Sequence, residues 1–510
     1  MNPPVWRIEL PDEAATRALA SDVAAFVGPG DLITLSGDLG AGKSTFARAL
    51  LRCLANDPEL ETPSPTFTLM QVYETARFPV VHADLYRVKE SEELIELGWS
   101  EAAEGALVVV EWAERAGREL ANDRLDVALF TDVNRGPTFR RAEISGHGTM
   151  TRRLLHARGA NSVLERSGWR QAERKPIQGD ASSRAYELLQ RPNGETAILM
   201  IAPPRPDGPA IKNGRSYSEL VHLAEDIRPF VAIDQGLRAL GLSAPAIYAV
   251  DLETGFAVLE DLGTEGVVTT EGAILERYME AAGVLAFLHS RELPEVVPLG
   301  DEQYAIPRYD MDALITETEL LLDWYAPHIA GITFASGARA QYGNAWRVTL
   351  AAALSEKATW CLRDFHSPNL LWLNDRPGLR RVGLLDFQDC VLGPPAYDVV
   401  SLAQDARVDI SDEFELKVLS GYALARKRSL VEFDTAAFAA SYAVMGAQRA
   451  CKIIGIFARL DKRDNKPLYL KHLPRIVGYL NKNLKHPALA ELKSWFEQNL
   501  PQLLSSEPRK

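Results

Sequence analysis

Two stretches hold residues whose types and spacing can do chemistry. Gly37-Asp38-Leu39-Gly40-Ala41-Gly42-Lys43-Ser44-Thr45 matches G-x-x-x-x-G-K-[ST] without a gap, the phosphate-binding loop of nucleotide hydrolases. Its glycines let the backbone wrap round an anion, with N–H groups pointing inward. Lys43 would reach the outer phosphates of ATP, and the Ser44 hydroxyl would ligate magnesium. The second stretch is Leu362-Arg363-Asp364-Phe365-His366-Ser367-Pro368-Asn369. Asp, four residues, then Asn is the spacing of a kinase catalytic loop, an acid for the acceptor hydroxyl and an amide for magnesium. The apolar run Gly383-Leu384-Leu385 then ends in Asp386, placed like the second magnesium acid. Asp364 and Asn369 alone also suit a polar loop between two hydrophobic strands; Asp386 at that distance favours phosphoryl transfer.

Each set needs elements to hold it. Asp31–Ser36 reads as a buried strand and Lys43–Leu54 as a helix, with Phe46, Leu50 and Leu54 on one face. Strand, loop and helix together bring the positive helix end to the phosphates. Upstream, Asp12–Val27 reads as an amphipathic helix capped by Asp12 and ended by Gly28-Pro29-Gly30. Ser64-Pro65-Thr66-Phe67-Thr68-Leu69 admits two readings, a polar loop before an edge strand or a switch whose hydroxyls sense the γ-phosphate. Two apolar strands end in acids, Val80–Asp84 and Leu107–Trp112 with its Glu111. In a doubly wound sheet such ends face the ligand, and a phosphate-loop hydrolase needs a carboxylate for magnesium and a group to orient water. His82, beside Asp84, reads as a packing or supporting residue rather than a ligand.

Gly37–Thr45, Ser64–Leu69, His82–Arg87 and Val110-Glu111-Trp112 together resemble the small bacterial ATPase needed to make threonylcarbamoyladenosine in transfer RNA. The resemblance spans roughly residues 5 to 148. It implies that Glu111 holds magnesium with Ser44 and that Asp84 is the catalytic acid near the γ-phosphate. It also implies a two-subunit partner complex that modifies tRNA, so that this domain meets tRNA only indirectly.

The later chain places strands first, Thr196–Ile201 and Phe256–Leu259, and helices after residue 271, such as Leu275–Leu288 and Met311–Tyr325. That order suggests a two-lobed α+β domain. The catalytic-loop pattern resembles the aminoglycoside-phosphotransferase superfamily, kinases of small hydroxylated molecules, with Leu362 where the usual first His stands and His366 kept. The usual nucleotide-lobe lysine is replaced by Met200; Arg184, Arg205 or Lys212 is left to substitute, and Arg184 is taken as the nucleotide-binding candidate. Asp180–Arg184, Ile198–Pro204, Leu259–Gly263, Asp323-Trp324-Tyr325 and Leu362–His366 resemble the anomeric kinases of N-acetylmuramate and N-acetylglucosamine, over about residues 160 to 505. This implies an amino-sugar substrate and a sugar 1-phosphate product in cell-wall recycling. Asp364 is then the catalytic acid, Asn369 and Asp386 the magnesium ligands, and His366, Trp324 and Tyr325 substrate candidates. Trp324 and Tyr325 fit a sugar-stacking platform and equally an amphipathic helix core. Two rivals stand beside this reading, an antibiotic-modifying aminoglycoside kinase and a sugar-binding module that gates the first domain without catalysis.

The chain has 510 residues and a formal net charge of −13. That length suits two or three domains, and the acidity argues against nonspecific nucleic-acid coating. Cys53, Cys361, Cys390 and Cys451 are far apart, which excludes a C-x-x-C metal site and suits a reducing compartment. No apolar signal core and no run of 18 apolar residues occur, so no membrane association is expected and the cytoplasm is the expected location. The basic Thr151–Arg158 stretch, with Arg152 and Arg153, reads as a charged linker or helix start, and contact with RNA is the sharper alternative. The expectation is thus two domains. Residues 1–150 form an α/β P-loop NTPase with a central, mostly parallel sheet. Residues 151–510 form a bilobal α+β, protein-kinase-like phosphotransferase.

Overall fold

The computed structural model describes residues 5–75, 78–88, 103–115, 123–177, 184–205, 208–429 and 433–504. The chain divides into two compact units, Met1–Gln171 and Ala172–Lys510. The division falls beyond residue 150 because the helix Thr149–Arg166 is bound to the first unit. Thr149 Oγ1 donates to Asp123 Oδ2 (2.8 Å), and the Arg153 guanidinium forks onto both oxygens of Asp31 (2.7 and 2.8 Å). The basic stretch is therefore the start of a helix, and Arg153 meets an internal carboxylate.

In the first unit, β1 (Val5–Leu10), β2 (Leu32–Ser36), β3 (Met70–Tyr73), β4 (Val80–Asp84), β5 (Leu107–Glu111), β6 (Leu125–Thr131) and β7 (Arg140–Gly146) form one sheet. Their order is β1-β7-β6-β2-β5-β4-β3. The central strands β6, β2, β5 and β4 run parallel, and the flanking pairs are antiparallel. Every residue of β4 and β5 is buried, as expected for parallel strands covered on both faces. The helix α1 (Glu13–Ala24) opens on Asp12, whose side chain accepts from the Ala15 backbone N–H. It packs on α2 (Lys43–Ala55), whose Phe46, Leu50 and Leu54 are fully buried.

The second unit opens with a five-stranded antiparallel sheet. In spatial order it runs Ile247–Asp251, Phe256–Glu260, β10 (Thr196–Ile201), β9 (Ala185–Gln190) and β8 (Glu173–Ile177). The stretch Gln178–Ser183, including Asp180, lies outside the described residues. Helices dominate from Leu275–His289 onward, and the longest is Thr435–Lys462. The segment expected as one helix, Met311–Tyr325, is an α-helix over Met311–Leu320 that widens into a π-helix over Leu321–Ala330. The long helix crosses it at Gly455, where a Cβ would fall 2.3 Å from the Leu320 carbonyl carbon, so only glycine allows that approach. Among the described residues no helix is long and apolar enough to cross a membrane.

Candidate active sites

In the first unit the loop between β2 and α2 is shaped for an anion. Gly37 adopts φ +130°, and a Cβ there would lie 2.2 Å from the Leu129 carbonyl oxygen. Leu39 projects to solvent while Ala41 is buried. Gly42 precedes α2 with φ +107° and no side-chain cap, which leaves the first N–H groups of the helix, Thr45 included, free to meet phosphate. Lys43 Nζ donates to the carbonyls of Gly37 (2.7 Å) and Asp38 (3.0 Å) and lies 3.6 Å from the centroid of the Trp112 ring. The ammonium thus turns into the loop it would share with phosphates. Burial pushes its pKa down, opposed by Glu111 and other nearby acids.

The acids meet at the carboxyl ends of β4 and β5, where Asp84 and Glu111 are register partners. Ser44 Oγ donates to Glu111 Oε2 (2.8 Å). The other Glu111 oxygen lies 3.0 Å from His82 Nε2, and both side chains are 2% exposed. Asp84 accepts from Thr66 Oγ1 (2.7 Å), Ser64 Oγ (3.2 Å) and the Tyr86 backbone N–H (3.0 Å). Ser64–Leu69 is a turn before the edge strand β3, and two of its hydroxyls close on Asp84. A hydroxyl paired with a carboxylate is a hard oxygen donor set that fits magnesium, which takes one or two carboxylates besides substrate phosphates.

In the second unit, Asp364, Asn369 and Asp386 converge. Asn369 Nδ2 donates to the Asp364 carbonyl (2.9 Å) and to Asp386 Oδ2 (3.4 Å). Gln388 Nε2 donates to Asp386 Oδ1 (2.8 Å), and Arg184 Nη1 lies 3.1 Å from the same oxygen. Met200 is fully buried in β10, opposite Tyr186 and Ala257, so it offers no charge. Of the three cations weighed as replacements, Arg184 reaches the metal-type acid. Arg205 sits in the fields of Arg184, Asp389 and Glu225, and Lys212 acts on Glu319. Burial pushes Asp386 up, reinforced by Asp364 and opposed by Arg184. The amide and carboxylate oxygens of Asn369 and Asp386 again suit magnesium.

The catalytic loop is held from behind. Asp398 accepts from the Leu362 (2.6 Å) and Arg363 (2.8 Å) backbone N–H groups, and Asp405 from the Ser367 N–H (2.8 Å). Arg363 is buried and bonded to Glu317. Glu317 also takes Tyr309, Lys452 Nζ (2.9 Å) and Gln448 Nε2 (3.0 Å). Arg449 Nη1 donates to the Arg363 carbonyl (3.0 Å). Burial alone would push Asp364 up, but Lys452 and Arg449, then His366 and Arg363, outweigh it and hold the carboxyl low. His366 Nε2 lies 3.9 Å from Asp364 Oδ1. Trp324 meets the His328 ring at 5.7 Å, and Tyr325 packs against the core; no described contact brings either to Asp364.

Sequence reasoning missed Glu317, Asp398, Arg449 and Lys452. The signal for the last two was a pair of cations three residues apart inside the mostly apolar stretch 443–458 of the 28-residue helix. Asp398 and Glu317 had none, because their partners are set by tertiary packing. Backbone strain marks the same places. Of eight non-glycine residues with positive φ among the described residues, Leu69, Trp112, Arg363 and Asp386 lie at or next to these acids, the kind of cluster functional sites retain.

Residues 10–138 match the family described as threonylcarbamoyl adenosine biosynthesis protein TsaE, and residues 173–434 match the phosphotransferase enzyme family. An N-acetylmuramate/N-acetylglucosamine kinase of Caulobacter vibrioides is 38% identical over 355 residues, 67% of this chain and 95% of that protein. A protein of the same name from Pseudomonas putida is 33% identical over 323 residues, 61% of this chain and 84% of its own. A tRNA threonylcarbamoyladenosine biosynthesis protein TsaE of Rickettsia felis is 43% identical over 120 residues, 24% of this chain and 70% of that protein. The chain is thus an enzyme built as a fusion, belonging through its first unit to the TsaE family and through its second to the phosphotransferase enzyme family.

Proposed function

We propose that the second unit transfers the γ-phosphoryl group of ATP to the anomeric hydroxyl of N-acetylmuramate or N-acetylglucosamine. The first unit would hydrolyse ATP in support of tRNA threonylcarbamoylation. The observation that carries the kinase reading is the convergence of Asp364, Asn369 and Asp386 with Arg184 against Asp386. A module that only binds sugar has no use for that constellation, and an aminoglycoside site would need more acids than these. Asp364, held anionic by Lys452 and Arg449, would take the proton of the acceptor hydroxyl as its oxygen attacks the γ-phosphorus and ADP leaves. Arg184 would supply the positive charge that Met200 does not. Magnesium held by Asn369 and Asp386 would neutralise developing phosphate charge.

In the first unit, Lys43 and the N–H groups of residues 37–45 would bind the phosphates. Ser44 and Glu111 would hold magnesium, with His82 buttressing the carboxylate, and Asp84 would orient the attacking water. Ser64 and Thr66, now closed on Asp84, are suited to release it when a γ-phosphate arrives. Its working partner would be a two-subunit tRNA-modifying complex in the cytoplasm, with tRNA met indirectly. The test is incubation of the intact chain with MgATP and either sugar, read by phosphorus NMR. An anomeric sugar phosphate supports the kinase reading, and ATP consumption with no sugar product refutes it.

A further inference from the structure

Met200, buried in β10, brings no charge to the nucleotide lobe, but the exit of the same strand carries a cation. The Ala202 N–H donates to the Gly255 carbonyl (2.8 Å). A Cβ on Gly255 would fall 2.1 Å from the Ala202 carbonyl oxygen, so the strand leaves against a turn that admits only glycine. Pro203 and Pro204 stiffen the next step, and the chain reaches Arg205. Its backbone N–H donates to the Glu225 carbonyl (3.1 Å).

Glu225 ends a short span fastened to both halves of the catalytic machinery. Ala224, the residue before it, donates its N–H to Asp389 Oδ1 (2.7 Å), and Asp389 stands three residues beyond Asp386. The Val221 carbonyl accepts from Arg363 Nη1 (2.8 Å), and Arg363 directly precedes Asp364. Residues 221–225 therefore rest on the segments that present the proposed base and the magnesium acid, and Arg205 is bonded to their end.

Charge in this corner is unbalanced. Among the described residues none bonds the Arg205 guanidinium; Asp389 and Glu225 act on it only through space. Glu225 has a buried Oε1 with no hydrogen-bond partner, and among the described residues Asp234 is the one other acid in that condition. Asp234 answers it by holding its proton, whereas Glu225 has a cation at hand. Arg184, bonded to Asp386 (3.1 Å), adds a like charge. Desolvation and then this repulsion push the Arg205 pKa down. Two guanidiniums drawn together in this way are relieved by a polyanion between them.

We propose that Arg205 is a second phosphate-binding residue of the kinase site, a guanidinium that meets the ATP phosphates alongside Arg184 and is steadied there by the Glu225 carboxylate. This rests on the kinase reading above. A planar guanidinium can offer one edge to phosphate and another to a carboxylate, which an ammonium cannot do with the same fixed geometry. Arg205 thus touches the nucleotide, and Glu225 is its positioning residue.

The experiment is calorimetric titration of a non-hydrolysable ATP analogue with magnesium into the full chain carrying Lys43→Ala, which disables the first nucleotide site. Arg205→Met added to that chain should weaken binding by about 10–100-fold, the worth of a charged hydrogen bond, and Arg205→Lys should recover part of it. Glu225→Gln should weaken binding less, and should add little once Arg205→Met is present, because it acts through that residue. Denaturant unfolding of the second unit should stay unchanged in each variant, which separates a lost contact from a lost fold. An affinity untouched by Arg205→Met, or a full effect of Glu225→Gln without Arg205, overturns the assignment. So does a loss that comes with an earlier unfolding transition and that Arg205→Lys does not recover. If Asp386→Asn lowers the affinity and Arg205→Met does not, the kinase reading stands and this inference alone falls. A Lys43→Ala chain that binds no analogue removes the kinase reading, and this inference with it.

Discussion

Arg184 Nη1 lies 3.1 Å from Asp386 Oδ1, joining residues 202 apart in sequence. The Arg184 side chain is 10% exposed, and under the proposed function it would supply the charge that the buried, apolar Met200 does not. Arg184→Met is therefore expected to lower kcat/KM for ATP in the sugar-kinase reaction by about 10–100-fold, the loss of a charge-assisted contact. Steady-state kinetics with ATP varied at saturating sugar would check this. A variant indistinguishable from wild type would leave Arg184 as a resting-state partner of Asp386 alone.

His82 and Glu111 form a buried pair beneath Ser44. Groups that orient a metal-binding carboxylate typically contribute 10–100-fold in metal affinity. His82→Ala should raise the magnesium concentration for half-maximal ATPase activity of the first unit by about that factor. His82→Gln, which keeps a donor, should recover part of it. A magnesium titration unmoved by His82→Ala would reduce His82 to packing.

Glu317 is the anion at the centre of Arg363, Lys452, Tyr309 and Gln448, and it is fully buried. Glu317→Ala leaves two buried cations without their carboxylate. The expected destabilisation is about 3–5 kcal/mol, read by denaturant unfolding of the second unit's transition. A loss below about 1 kcal/mol, the value of an exposed pair, would mean that the cluster is not what fixes the catalytic loop.

Asp234 is a buried acid with neither carboxyl oxygen hydrogen-bonded. Burial pushes its pKa up to about 8, with Arg238 opposing and Glu260 adding. The folded chain therefore keeps this proton while the unfolded chain releases it near the ordinary value of 3.8. Stability contributed here is full below about pH 4 and is lost as pH rises toward 8, at up to about 1.4 kcal/mol per pH unit. Asp234→Asn removes that slope. Its melting temperature should exceed that of wild type at pH 8, with the gap closing toward pH 5. A gap that does not change with pH would contradict a protonated Asp234.

Much of this was legible in the sequence, for identifiable reasons. Lys43 and Ser44, and Asp364 and Asn369, are close in sequence because one loop must present both, so spacing alone reveals them. Asp84 and Glu111 show as acids ending apolar strands, and parallel register then makes them neighbours. The supports are different. Asp398 caps Leu362 and Arg363 from a later helix, and Glu317 meets Arg363 across 46 residues. Such pairings depend on tertiary packing, which has no local period. The boundary was expected near residue 150 and the two compact units divide after Gln171; Arg153 and Thr149 tie the intervening helix to Asp31 and Asp123, again a pairing set by tertiary packing. Trp324 and Tyr325 suited a sugar platform and a helix core equally by residue type; the described contacts are Trp324 with His328 and Tyr325 with the core.

The most direct test is one ATP-turnover experiment on the full chain with Lys43→Ala and Asp364→Ala, with and without N-acetylmuramate and N-acetylglucosamine. Two separate active sites predict that Asp364→Ala loses sugar-dependent turnover by about 10²–10⁴-fold, the contribution of a general base, and keeps the sugar-independent ATPase. Lys43→Ala should do the reverse. If Lys43→Ala abolishes every turnover and sugar merely modulates what remains in Asp364→Ala, the second unit is a sensor and the two-enzyme reading is wrong.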